Sequence, residues 1–486
     1  MPAAREPSLA RAPTTPARIS REQAAVLVLL TIAGAWLRLS HLGSKSLWLD
    51  EGATVALARA SWQHFAWVWW HAEASLQTIY FLLMRAWIRL GDSEAWLRLP
   101  SAVFGIASIP LLYLLARKFM GAVPALAAAA LLAFSPSDVY YSQEARSYSL
   151  TILLVLLSMY YFVRAVEQNQ SRDWLLWTLF GIVAFYSHDF AALVLVAQVV
   201  SLLFRATFIP WRRVITCSVA IFLFAIPGLT YVFRASPENL HFLWMPRASG
   251  KEFWHLAMFF GGAGVKVVPA GVLWIAGAVA VWRSRRGDAD VFWRSMLIVV
   301  WAVLPAVILA LISLRQPMFL QRYLIFSLPA TILLAALGTQ TLRKWGIGLL
   351  LTALLCGMSQ TAITKEYRKP REDWRGACNA MLSSAAPGDA VAFVPFYSRV
   401  MLDYYRDRYG AGAPQLHIFA PGYYAGGEDV RDLLKTLDHD SPRFRHVWVL
   451  VDGDAYSDAV AEKLEATYGA PAVQKFAGIE VLEYGR

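Results

Sequence analysis

The sequence predicts an α-helical polytopic membrane protein that ends in a small α/β domain. Three observations carry this expectation. Of the 486 residues, 57% are hydrophobic and only 16% are charged, whereas a soluble domain averages about 25% charged. The apolar residues are bunched into runs of about 18 or more, long enough to cross a bilayer, rather than spread at helical or strand spacing. From Thr364 onward the pattern changes to short apolar stretches alternating with amphipathic ones. The 20 tryptophans fit the same class, because their rings collect at the lipid interface.

Eleven runs qualify as spans: 24–42, 98–116, 122–137, 146–164, 173–187, 190–204, 213–233, 266–283, 292–313, 323–341 and 345–362. A further apolar stretch, Leu76 to Leu90, is long enough to cross or to lie along the surface, and the basic residues decide between the two. Lys and Arg collect in cytoplasmic loops. With 76–90 outside the count, the cytoplasmic turns carry Arg117–Lys118, Arg164 and Arg172, Arg205 with Arg212–Arg213, Arg283 with Arg285–Arg286, and Arg343–Lys344. With 76–90 as a span, all of these clusters move outside. The stretch is therefore assigned to the outer face as a juxtamembrane or re-entrant helix.

Residues 1–22 are rich in Pro, Ala and Arg (Arg5, Arg11, Arg18, Arg21) and read as a disordered cytoplasmic segment. The run that follows is too long for a signal-peptide core and lacks a clear cleavage site, so it reads as an uncleaved first span. The expected division is a disordered segment at 1–22, a transmembrane domain at 23–362 and an extracytoplasmic α/β domain at 363–486. In the last, Ala390–Val394, His446–Val451 and Ile479–Tyr484 read as strands, and Glu372–Ser384, Val430–Leu437 and Ala455–Tyr468 as helices. Pro387-Gly388-Asp389 reads as a helix-to-strand turn. The Gly-Gly-Ala-Gly of 261–264 lacks the Lys-Ser/Thr of a phosphate-binding loop.

The net charge of +11 sits at the ends of spans. That placement implies membrane lipids rather than nucleic acid as partners. Of the three cysteines, Cys217 and Cys356 lie in apolar runs and Cys378 has no sequence partner, which implies neither a disulfide framework nor a metal cluster.

The polar residues that remain converge on the outer face. Asp50–Glu51 lies in Ser46-Leu-Trp-Leu-Asp-Glu-Gly-Ala-Thr54, directly after the first span. A carboxylate beside lipid is costly unless paired or useful. One reading is a general base with a neighbour that helps bind an acceptor or a cation; the other is a helix N-cap at Asp50. Glu144 lies in Tyr140-Tyr-Ser-Gln-Glu-Ala-Arg-Ser-Tyr148 at the start of a span. The segment is dense in groups that hydrogen-bond a sugar, although a Glu is also favoured at a helix start. His188–Asp189 follows a span and invites a catalytic reading, although neighbours on a helix do not face each other. Arg315 and Arg322, with Tyr323 after it, enter a span from outside, where guanidinium groups meet phosphate or snorkel. Arg85 and Arg89 lie one turn apart on the juxtamembrane stretch.

Three stretches resemble the bacterial membrane glycosyltransferases of the GT-C superfamily, in the branch related to protein O-mannosyltransferases and the aminoarabinose transferases of lipid A. They are Trp48-Leu-Asp-Glu51, the run from Leu76 through Trp96-Leu-Arg-Leu-Pro-Ser101 to Tyr113-Leu-Leu-Ala-Arg117, and Ser135-Pro-Ser-Asp-Val-Tyr-Tyr-Ser-Gln-Glu-Ala-Arg-Ser-Tyr-Ser-Leu150. Tyr186-Ser-His188 and Arg322-Tyr323 also fit. The resemblance is specific over residues 40–205, looser over 290–340 and weak in the C-terminal domain.

It implies a GT-C fold in a bacterial cytoplasmic membrane and an undecaprenyl-type polyprenyl-phosphate sugar donor. The acceptor is left open between glycan, lipid and protein, and attack by its hydroxyl in a single displacement predicts inversion at the anomeric carbon. By resemblance Asp50 is the base, Glu51 its support and Glu144 the second acidic site. Tyr141, Gln143, Arg146, Tyr148, His188, Asp189 and Glu73 fall to substrate binding, and Arg85, Arg315, Arg322 and Tyr323 to the donor phosphate. No cofactor is implied with certainty, and a divalent cation is left open. One departure concerns the donor: relatives often carry His-Pro-Pro or Lys-Pro-Pro where this chain has His71-Ala-Glu-Ala-Ser-Leu-Gln77. The alternative is a transporter or flippase of a lipid-linked sugar. That class tends to show two related halves and broken spans at mid-membrane, and the sequence shows no internal repeat.

Overall fold

The computed structural model describes residues 19–71, 76–234, 245–342, 346–419, 430–453 and 457–486. Arg5, Arg11, Arg18, Glu73 and the Arg343–Lys344 turn lie outside these residues. The chain forms two units: one takes in residues up to Ser40, 75–80 and 99–367, the other His41–Ala74, Phe81–Arg98 and Arg368–Arg486.

The first unit is a multi-pass membrane bundle. Among the described residues, eight helices are long and apolar enough to cross: Arg21–Leu39, Glu94–Phe119, Tyr148–Gln168, Trp211–Thr230, Gly264–Ser284, Ala289–Ser313, Gln321–Thr341 and Ile347–Arg368. The pair Ala122–Ala133 and Pro136–Ser142, bent by 53°, makes a ninth if it is counted as one broken span rather than a re-entrant loop. The expected spans at 173–187 and 190–204 are helical, as Ser171–Ser187 and Asp189–Phe204, but shorter than the eight crossing helices. Gln321–Thr341 is 83% buried by its neighbours and Trp211–Thr230 only 22%, so the former is a core helix and the latter lies at the rim. Within the juxtamembrane stretch the helix is Thr78–Trp87, ten residues. At 1.5 Å per residue it covers about 15 Å, roughly half the hydrocarbon thickness.

The expected single span at 122–137 breaks because Ser135-Pro136 restarts the helix. The Ser135 hydroxyl accepts the Asp138 amide at 3.4 Å, and Pro136 takes a first-turn position where its missing N–H costs nothing. The break leaves carbonyls at the end of the first piece without helical partners. Arg38 takes them: its guanidinium donates to the carbonyls of Leu132 at 3.0 Å and Ala133 at 3.1 Å, to that of Gly34 at 2.9 Å, and to the Asp138 carboxylate. Arg38 and Asp138 are both fully buried. Arg38→Ala is therefore expected to cost about 3–5 kcal/mol, because it strands a buried charge. Thermal unfolding in detergent checks this; a melting point equal to the parent's contradicts it.

The second unit is built on a five-stranded sheet in the order β2-β1-β3-β5-β4, with β1 Ala390–Val394, β2 His417–Ile418, β3 His446–Asp452, β4 Ala472–Phe476 and β5 Ile479–Gly485. Strands β2, β1 and β3 are parallel; β5 runs antiparallel to β3 and β4 to β5. All five residues of β1 are buried, as expected of a central parallel strand covered on both faces. Leu437, Val460 and Leu464 pack on the face bearing Ala390, Ala392, Val394, Val447, Val449 and Val451. The Trp374–Ser384 helix lies against β4, β5 and the Arg399–Tyr409 helix, covering the opposite face. The three expected strands and three expected helices are present with ends moved by a few residues. Strands β2 and β4 and the Arg399–Tyr409 helix were not anticipated. β2 has two residues, β4 is an exposed edge, and the helix is too polar to register as an apolar run.

Candidate active site

Asp50 belongs to the second unit. The chain is extended at Trp48 (φ −102°, ψ 170°), and the Leu49–Arg59 helix begins directly after it. The N-cap is thus Trp48 rather than Asp50, and Asp50 sits in the first turn, where the helix dipole favours a carboxylate. Its neighbour Glu51 is fully buried. Arg98 grips Glu51 with two parallel bonds, Nε to Oε1 at 2.8 Å and Nη2 to Oε2 at 2.6 Å. The remaining Arg98 donors go to the carbonyls of Leu42, Lys45 and Ser46, each at 2.9 Å. All five guanidinium N–H groups are then used. Glu51 also accepts the Trp48 amide at 3.3 Å. Its carboxylate is committed to holding the Leu42–Glu51 turn, while Asp50 stays half-buried beside it.

The helix that carries Asp50 packs on the Arg399–Tyr409 helix. A Cβ at Gly52 would lie 2.4 Å from the Met401 sulfur and 3.0 Å from Val400, so a side chain here would have to displace Met401. The Leu47 amide donates to the Tyr405 hydroxyl at 2.9 Å. Arg85 closes the far end of the Leu49–Arg59 helix. One of its nitrogens donates to the carbonyl of Ala60 at 2.5 Å and more weakly to that of Ala58 at 3.3 Å, and its guanidinium lies 4.0 Å from the centre of the Trp62 ring. Arg85 thus caps a helix, a task the sequence reading did not give it.

A second cluster lies in the membrane unit. Glu144 falls in the turn between the Pro136–Ser142 and Tyr148–Gln168 helices, not in a first helical turn, and is fully buried. Tyr141 and Tyr148 lie 4.7 Å apart by ring centres, Tyr148 and His188 6.0 Å, and His188 and Tyr323 5.8 Å. The charges of Glu144 and Arg322 both act on Tyr141. The Arg146 carbonyl accepts the Ser101 hydroxyl at 3.0 Å, and the Tyr80 and Ser101 hydroxyls are 2.9 Å apart. The structure thus gathers Tyr141, Glu144, Tyr148, His188, Arg322 and Tyr323. Arg315, exposed in the turn after the Ala289–Ser313 helix, is not among them.

Gln143 anchors the scaffold: its amide nitrogen donates to the carbonyls of Leu37, Arg38 and Ser40 at 3.3, 3.2 and 2.6 Å. His188 and Asp189 do meet, with Nδ1 3.1 Å from Oδ1. The rule for helical neighbours does not apply because His188 is extended (φ −164°, ψ 121°) where its helix ends. Among the described residues, no three His, Cys, Asp or Glu side chains are placed to hold a metal ion. Sequence reasoning missed Arg98 and the Arg38–Asp138 pair; ionisable residues inside apolar runs are the signal that marks them.

Comparison with known proteins bears on this arrangement. Residues 78–231 match the family model described as dolichyl-phosphate-mannose-protein mannosyltransferase. No curated protein sequence matches the chain. Among solved structures, ArnT from Cupriavidus metallidurans in the apo state superposes with a TM-score of 0.66 at 16% identity, over 95% of this chain and 98% of that one. The fold is that of the GT-C glycosyltransferases. The same ArnT bound to undecaprenyl phosphate matches with a TM-score of 0.56 at 14% identity, over 95% and 97% of the two chains. The GT-C fold is shared more distantly with the archaeal oligosaccharyltransferase AglB from Archaeoglobus fulgidus, in complex with an inhibitory peptide and a dolichol-phosphate. That match has a TM-score of 0.52 at 11% identity, over 96% of this chain and 74% of that one.

Proposed function

We propose that the chain transfers a sugar from an undecaprenyl-type polyprenyl-phosphate donor to an acceptor hydroxyl at the extracytoplasmic face of a bacterial cytoplasmic membrane. In this reading Asp50 is the general base and the anomeric configuration inverts. The observation that carries it is the division of labour within the acidic pair. Glu51 is locked in a buried fork with Arg98, and Asp50, held by that same turn, keeps access to solvent. The mannosyltransferase-family match and the lipid phosphate bound by an ArnT of the same fold support the choice of donor.

The acceptor oxygen attacks the anomeric carbon, and Asp50 takes its proton as the new C–O bond forms. The bond from the anomeric carbon to the lipid phosphate oxygen breaks. The phosphate leaves as an anion that needs no acid, only cationic stabilisation. Arg322, with Tyr323, is assigned that work. Glu144, Arg146, Tyr141, Tyr148, His188 and Asp189 are assigned to binding the polar part of the substrates.

The test is transfer of label from a polyprenyl-phosphate sugar by the purified protein, with membranes of the source cells as acceptor. Label that stays on the lipid overturns the reading. Arg322→Ala is expected to raise the donor concentration for half-maximal rate about tenfold or more, the worth of one charge-assisted hydrogen bond. A donor titration unchanged from the parent removes Arg322 from the phosphate.

A further inference from the structure

The C-terminal sheet contains a topological switch point. After β1 the chain passes through the Arg399–Tyr409 helix to β2, on one side of β1; after β3 it passes through the Ser457–Tyr468 helix to β4, on the other side, beyond β5. The Ser457–Tyr468 helix packs on the face bearing Val447 and Val449, and the Arg399–Tyr409 helix packs with the Trp374–Ser384 helix that lies against β4 and β5. In open α/β sheets such a point leaves a crevice outside the carboxyl ends of the two strands, and ligands bind there. β1 and β3 are paired neighbours, with Val394 opposite Val451. Asp452 is the last residue of β3, and Tyr397 follows β1 by three residues. The two therefore stand at the same edge.

The Asp50 turn meets that edge. The helix that begins two residues after Tyr397 is the one on which Gly52 and Leu47 are seated, through Met401 and Tyr405. Glu372 lies on the same side, its carbonyl accepting the Ser46 hydroxyl. The fields agree with this placement. Tyr397 is raised by burial and then by the charges of Asp452 and Asp50, and Glu372 by burial, with Asp50 and Glu51 adding to it. Burial, with help from Glu372, pushes the Asp452 carboxyl up to about 6. Neither Tyr397 nor Asp452 has a part in the transfer scheme described above.

We propose that Tyr397 and Asp452 form an acceptor subsite that presents a hydroxyl-bearing molecule to Asp50. The inference rests on Asp50 being the base. A phenol and a carboxylate at one edge are complementary to a vicinal diol: the tyrosine O–H donates to one oxygen and the carboxylate accepts from the other. The acceptor class is therefore a sugar or another polyol.

The experiment uses the full-length protein, a labelled polyprenyl-phosphate sugar and source-cell membranes titrated as acceptor. Tyr397→Phe and Asp452→Asn should each raise the membrane concentration for half-maximal transfer about tenfold, the worth of a hydrogen bond in a specific pocket. The maximal rate and the binding of undecaprenyl phosphate should stay near the parent's. A half-saturation point within about twofold of the parent in both variants overturns the subsite. So does a joint loss of transfer and undecaprenyl-phosphate binding, which would make the two residues part of the scaffold. Asp50→Asn in parallel separates the two readings. If it retains transfer, the base assignment falls; if it loses transfer while the edge variants match the parent, only the subsite falls.

Discussion

Asp50→Asn lowers sugar transfer by about a hundredfold or more and leaves the protein folded. Asn keeps the shape and most of the hydrogen bonding of Asp but takes no proton, and a positioned general base contributes about 10²–10⁴ in rate. The structural cost is small. Asp50 is half-buried in the first turn of its helix, where a carboxylate adds about 0.3–1 kcal/mol through the dipole. Initial rates with a labelled donor, beside thermal unfolding of the same preparation, measure both quantities. Near-parent turnover removes Asp50 from the chemistry. A large fall in melting point would instead make it a structural residue.

Arg98→Ala is expected to destabilise the protein as strongly as Arg38→Ala does. It leaves the Glu51 carboxylate buried without a partner and frees the carbonyls of Leu42, Lys45 and Ser46. Breaking one side of a buried pair costs about 3–5 kcal/mol, whereas replacing both sides by apolar groups of similar size costs far less. The double variant Glu51→Leu with Arg98→Met is therefore expected to melt well above Arg98→Ala alone, although transfer stays impaired because the Asp50 turn has lost its anchor. Arg98→Lys recovers little, since an ammonium does not reproduce the planar fork. Melting curves of the three variants check the order; an Arg98→Ala protein as stable as the parent contradicts it.

The membrane architecture was legible because long apolar runs have one use. Eight of the eleven expected spans correspond to helices long and apolar enough to cross, the one at 122–137 is bent in two, and those at 173–187 and 190–204 are shorter helices; Thr78–Trp87 has only ten residues. The break at Ser135-Pro136 was visible as residues but not as geometry, because its outcome depends on Arg38 reaching across from a helix about 95 residues away. The same limit applied to Asp50–Glu51. Local pattern presents two equivalent acids, and only the long-range partner Arg98 distinguishes the buried one from the accessible one. Arg85 and Gln143 looked available in the sequence because nothing local shows that Ala58, Ala60, Leu37 and Ser40 need their donors. The C-terminal domain showed its parallel strands β1 and β3 as continuous apolar runs. Its union with residues 41–74 and 81–98 in one unit rests on long-range contacts such as Leu47 to Tyr405 and Gly52 to Met401, which no periodicity announces.

The central claim is a single displacement at the anomeric carbon with Asp50 taking the acceptor's proton. The anomeric configuration of the transferred sugar, read by NMR on the product of a donor of defined configuration, tests it most directly. Inversion is the expected result. A product with the donor's configuration retained would contradict it, because retention requires a second displacement and a covalent intermediate.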